Sequence, residues 1–111
     1  VGDTWEDESD ETVLTARLRG YERKYFAGLD AVESLELSKI SGPSCLSASS
    51  RVIHINPAVA PFSKMCGILI LHELIHHKLL MENGDPDEAE KDRFQAEVLR
   101  LWERGAYKEL L

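Results

Sequence analysis

The sequence predicts an α+β fold: an N-terminal helix, a short β-sheet, and two C-terminal helices folded back on each other as a hairpin. Three observations carry this. Apolar side chains in residues 12–27 recur at helical spacing. Residues 32–40 and 51–56 are rich in Val, Leu and Ile in near-alternation. Residues 62–105 hold two further helical patterns separated by the turn sequence ENGD. A chain of 111 residues has room for one hydrophobic core and no second domain.

Residues 1–11 carry six acids and one aromatic, Trp5, and such a charge run is expected as a flexible, solvated lead-in to a single domain spanning 12–111. Within that domain Leu14, Leu18, Tyr21 and Tyr25 fall at i, i+4, i+7 and i+11, one buried helical face, with Gly28 as its end. The segment VESLELSKI, 32–40, reads as a strand. SGPSCLSASS, 41–50, is turn chemistry throughout. RVIHIN, 51–56, reads as a second strand, with Ile53 and Ile55 on one side and Val52, His54 and Asn56 on the other. Pro57 and Pro61 end it, and a helix follows over about 62–81. It is apolar nearly all round, which marks it as the buried central helix. Asp85, Pro86 and Glu88 then offer an N-cap, a first-turn proline and a capping-box acid for the last helix. That helix is expected to bury Phe94, Val98, Leu101 and Trp102 and to end at Gly105.

Net charge is −7, from 13 basic and 20 acidic residues. Such a balance gives no electrostatic footprint for a phosphate backbone or an anionic membrane, so neither nucleic acid nor membrane is an expected direct partner. The apolar run 66–71 is too short to span a bilayer, and no signal-peptide pattern is visible. Two cysteines, Cys45 and Cys66, do not make a disulfide framework, so a reducing, cytoplasmic setting is expected, with Cys66 a buried thiol.

The chemistry concentrates in His72, Glu73 and His76, an H-E-x-x-H pattern on the central helix. Positions i and i+4 are about 40° apart in azimuth, so the two imidazoles converge on one point where a zinc ion fits. Glu73 lies beside that point, where a carboxylate can take a proton from a water activated by zinc. Two histidines and a glutamate would otherwise be an expensive way to build a core. A working zinc site needs a third protein ligand, and no histidine follows His77. Asp87, Glu90 and Glu97 fall on or near the inward face of the last helix, whereas Glu88 points away. Folding the hairpin around Asn83 and Gly84 sets the metal opposite about residue 93, which leaves Asp87 too close to the turn. Glu90 and Glu97 straddle that level, and geometry does not choose between them. His77 is expected as a surface histidine or as support for the site, and His54 as a half-exposed strand residue that faces substrate at most. Tyr107 is the one late candidate to steady an oxyanion.

The stretch from RVIHINPAV through HELIHHKL to GDPDEAEKDRFQAEVLRL resembles the SprT-like zincin metallopeptidases. In that family a strand ending in a small polar residue precedes the H-E-x-x-H helix, and a later helix carries H-G-x-x-F with its histidine as third ligand. Phe94 matches that phenylalanine, and Glu90-Lys91 stands where His-Gly would be. The resemblance therefore implies Glu90 as third ligand, in a minimal zincin-like fold akin to a gluzincin. It further implies a zinc-dependent peptidase with His72, His76 and Glu90 on the metal, Glu73 as general base, and a peptide or protein as substrate. Two rival readings remain at this stage. Cys45-Leu46-Ser47 is similar to the cysteine segment of peptide deformylases, which would make Cys45 the third ligand. Alternatively the metal only staples a small non-catalytic interaction module.

Overall fold

The computed structural model describes the backbone of residues 2–83 and 88–111, and the side chains of 10–82 and 91–111. The turn after Asn83 and the Asp85–Pro86 cap lie outside the described residues, as do Asp87 and the side chains of Trp5, Glu88 and Glu90. In chain order the elements are helix α1 (Gly2–Tyr25), strands β1 (Ser34–Leu37), β2 (Ser44–Ser47) and β3 (Val52–Ile55), helix α2 (Ser63–Asn83) and helix α3 (Glu88–Glu103), with a 3-10 turn at Pro57–Val59 before α2. The small α+β architecture expected from the sequence is the one observed.

Helix α1 begins at Gly2, ten residues before the expected start, so the acidic lead-in is helical. Acids suit the positive end of a helix macrodipole, and Arg23 and Lys24 suit its last turn. Leu14, Leu18 and Tyr25 bury the expected face. Beyond it, the loop to β1 is tied down by Glu22, which accepts from the Val32 amide at 2.8 Å, and by Arg19, which donates to the Val32 and Glu33 carbonyls. At the far end of the chain, α3 closes on Gly105, whose φ of 84° is open to glycine. Gly105 donates to the Trp102 carbonyl and Ala106 to that of Leu101, the paired bonds of a Schellman motif.

The sheet has the order β1-β3-β2, with β1 parallel and β2 antiparallel to β3. Two strands were expected, and the third, β2, falls inside a segment full of turn residues. Its four residues gain order by pairing, Ser44 with Ile55 and Leu46 with Ile53, rather than from propensity. Leu35, Ile53, Ile55 and Leu46 form the inner face against the helices. Glu36, His54 and Cys45 lie in register across the other face. Because β3 is flanked on both sides, it has no edge to offer a substrate; the outer strand on the antiparallel side is β2.

The core centres on α2, where Cys66, Ile70, Leu71, Leu74 and Ile75 are fully buried. Cys66 is the buried thiol expected, and burial pushes it above its ordinary range. Gly67 lets the chain's end approach closely: a Cβ there would stand 2.6 Å from the Leu110 side chain. Among the described residues no helix is long and apolar enough to cross a membrane.

Candidate metal centre

Helix α2 brings His72 and His76 together as the i, i+4 spacing requires. Their Nε2 atoms are 3.1 Å apart and their rings meet edge to face. Two nitrogens each about 2.05 Å from one tetrahedral zinc ion would be separated by roughly 3.3 Å, close to the spacing observed. His72, Glu73 and His76 place ligand-type atoms within 4.8 Å of one another. The imidazole of His72 is held below its ordinary pKa, first by burial and then by His76, with Glu73 opposing. A neutral imidazole is the form that ligates.

Glu73 is 4% exposed, and a buried carboxylate needs a partner. It has one in Ser44, whose Oγ donates to Oε2 at 2.6 Å. The bond exists because β2 runs beside α2 with Ser44 on the sheet's inner face. No local pattern announces it: the two residues are 29 apart, and Ser44 sits in a serine-rich stretch that reads as loop.

Helix α3 supplies Phe94, whose ring centroid lies 4.8 Å from that of His72 and 4.9 Å from that of His76. Phe94 thus packs on both imidazoles and limits their rotation, and its position agrees with the hairpin level expected from the sequence. Glu90 is one helical turn before Phe94, about 40° round the same face by helix geometry. Glu97 is engaged elsewhere. Its carboxylate meets Lys78 Nζ at 2.8 Å and Arg100 at 2.9 Å, and only 14% of the side chain is exposed. Burial pushes the Glu97 pKa up, but the hydrogen bonds from Lys78 and Arg100 outweigh this and hold it below the usual carboxylate range. Arg100 also donates to the Tyr25 carbonyl at 2.9 Å, so Glu97 belongs to a polar clamp joining α1, α2 and α3.

Other candidates fall away from the centre. Cys45 is exposed on the outer face of the sheet, opposite in sense to Ser44, and is not among the converging donors. His54 lies on that outer face too, with Nδ1 3.0 Å from Ser38 Oγ. His77, expected at the surface or in support of the site, is fully buried, and its Nε2 donates to the Asp30 carbonyl at 2.7 Å, anchoring the loop that leads to β1. An all-round apolar helix buries whichever side faces a neighbour, and this one faces the α1–β1 loop. Its Nδ1 has no hydrogen-bond partner among the described residues.

Beside His72 lies an apolar groove of about 360 Å³, walled by Ile68, Ile75, Val98, Trp102 and Tyr107. Burial pushes the Tyr107 phenol above its ordinary pKa, so it is a proton-bearing donor at neutral pH. Val98 and Trp102, expected in the core, are instead 36% and 57% exposed along the groove.

Compared with known proteins, the chain matches no family model, no curated protein and no solved structure.

Proposed function

We propose that the chain is a zinc-dependent metallopeptidase of SprT-like, gluzincin-like character, with His72, His76 and Glu90 as metal ligands and Glu73 as general base. The observation that carries this is the approach of the two Nε2 atoms to 3.1 Å beside a buried glutamate that is not needed to hold a metal. A purely structural site has no use for Glu73 or for the hydroxyl that orients it. Two imidazoles and a carboxylate are a donor set suited to zinc.

Zinc, when bound, supplies a Lewis acid that brings the pKa of water towards neutrality and polarises a carbonyl. Glu73, fixed through Oε2 by Ser44, keeps Oε1 to accept the proton of the attacking water and pass it to the departing amine. Tyr107 is the candidate donor to the oxyanion. The groove beside His72 takes an apolar side chain of the peptide, and the outer edge of β2 is the place for its extended backbone to pair. The free thiols of Cys45 and Cys66 are in keeping with a cytoplasmic setting.

The test is Glu73→Gln. The variant is expected to keep one zinc per chain and lose nearly all hydrolysis of an unfolded protein such as reduced casein. Retained zinc with unimpaired hydrolysis would remove Glu73 from the mechanism. A zinc-loaded parent that cleaves nothing would favour the non-catalytic module.

A further inference from the structure

A second concavity, a groove of about 860 Å³, lies where α1, the first turn of α2 and the segment after α3 meet. Arg17, Lys24, Lys64, Arg104 and Lys108 line it, against one acid, Glu109. Five of the 13 basic residues of a chain with 20 acids therefore converge on one groove, leaving four positive charges after Glu109 is set against one. Among the described residues none of the five has a carboxylate within ion-pair distance; those pairs belong to Arg19, Lys78 and Arg100. Backbone, hydroxyl and ring contacts hold Arg17, Lys24 and Arg104 instead. Arg17 donates to the Ser63 carbonyl at 2.6 Å and to its hydroxyl at 2.9 Å. Arg104 donates to the Lys24 carbonyl at 3.2 Å and stands 6.0 Å from the centre of the Tyr25 ring, with Lys24 at 5.4 Å from the same ring. The amides opening α2 add partial positive charge at one end of the groove. Concentrating uncompensated cations on an otherwise acidic protein costs electrostatic energy that an anionic occupant would recover.

We infer that this groove docks an acidic stretch of a protein substrate. A nucleic acid fits less well. The net charge of −7 repels a long polyanion, and Tyr25 is buried beneath Lys24 and Arg104, so it offers no open face for a base to stack on. A short run of carboxylates meets five cations against the single acid Glu109. The groove also adjoins the proposed peptidase centre: Tyr107 walls the apolar groove beside His72, while Lys108 and Glu109 line the basic one. Lys64 and His72 are eight residues apart on α2, about 12 Å, so the acidic stretch would lie at least about four extended residues from the bond to be cut. The word substrate rests on the peptidase reading; the binding itself does not.

Binding is measured by fluorescence anisotropy of a fluorescein-labelled hexaglutamate peptide on the full chain, zinc-loaded and in chelator, at low salt. It is expected in both conditions, weakened at least tenfold by K24E/K64E/K108E and by less than threefold by the charge-matched K39E/K91E/R93E. Should the first variant not fold, the parent's affinity is expected to fall at least tenfold on raising salt from about 20 to about 300 mM, as screening requires. Binding that persists in chelator in a protein without hydrolytic activity supports the groove and counts against the peptidase. No binding at low salt, equal loss in both variants, or tighter binding of single-stranded DNA of equal charge would each overturn the proposal.

Discussion

Replacing Glu97 with alanine separates a structural acid from a metal-ligating one. In the structure its carboxylate joins Lys78 and Arg100, with side-chain exposures of 14%, 23% and 29% respectively. Exposed ion pairs contribute about 0.2–1 kcal/mol, whereas breaking a fully buried pair costs about 3–5 kcal/mol. A mostly buried acid whose cations still reach water falls between, at roughly 2 kcal/mol, because Lys78 and Arg100 can be rehydrated once the acid is gone. Lys78 also keeps Glu82, at 3.9 Å. The unfolding entropy of a chain this long is about 0.23 kcal/mol/K, so melting should fall by roughly 9 °C. The effect should depend on pH in a defined sense. The folded pKa of Glu97 is depressed, so its contribution is present above the unfolded value of about 4.3 and is lost as pH falls through the folded one. Parent and variant should therefore converge in stability at acid pH. Thermal melts from pH 7 down to pH 3, with zinc titration of both proteins in parallel, read all of this. Zinc affinity should be unchanged. If Glu97→Ala instead loses zinc severely, Glu97 leaves its clamp to ligate the metal, and the polar bridge described above is not its role.

The other expectations concern the centre directly. The parent should bind about one zinc per chain, more weakly as pH falls towards 5 because the imidazoles must be neutral to ligate, and His72→Ala should abolish it; absence of metal after reconstitution at neutral pH would sink the site. Glu90→Ala should cost far more than the roughly 10–100-fold in affinity typical of an outer group, while Cys45→Ser stays near the parent; the reverse result would move the chain to the deformylase-like reading. Ser44→Ala removes the hydrogen bond that orients Glu73. With the general base less well held, kcat should fall about tenfold, with KM and zinc content unmoved; an unaltered kcat would reduce Ser44 to a packing contact.

What could be read in advance, and what could not, follows from how far each interaction reaches along the chain. The i, i+4 histidines and the apolar periodicity of the helices are local, so their spacing announced them. Phe94 could be set opposite His72 and His76 because a helical hairpin makes level a function of residue number. Strand β2 escaped notice because its four residues have no strand propensity of their own and are ordered by β3. Missing β2 hid Ser44 as well, since only the strand's register turns that hydroxyl towards Glu73. His77 failed for a different reason: on a helix apolar all round, the pattern does not say which side meets the α1–β1 loop.

Glu97 shows the limit most sharply. Periodicity assigned it a place on the inward face of α3 and could go no further, because what occupies a carboxylate depends on cations from two other helices. Once Lys78 and Arg100 are seen to hold Glu97, drawing it onto the metal would strand two partly buried cations as well as break two charged contacts. Assigning the third ligand therefore turns on what each acid would have to give up, and for Glu97 that cost is already visible in the clamp holding the three helices together.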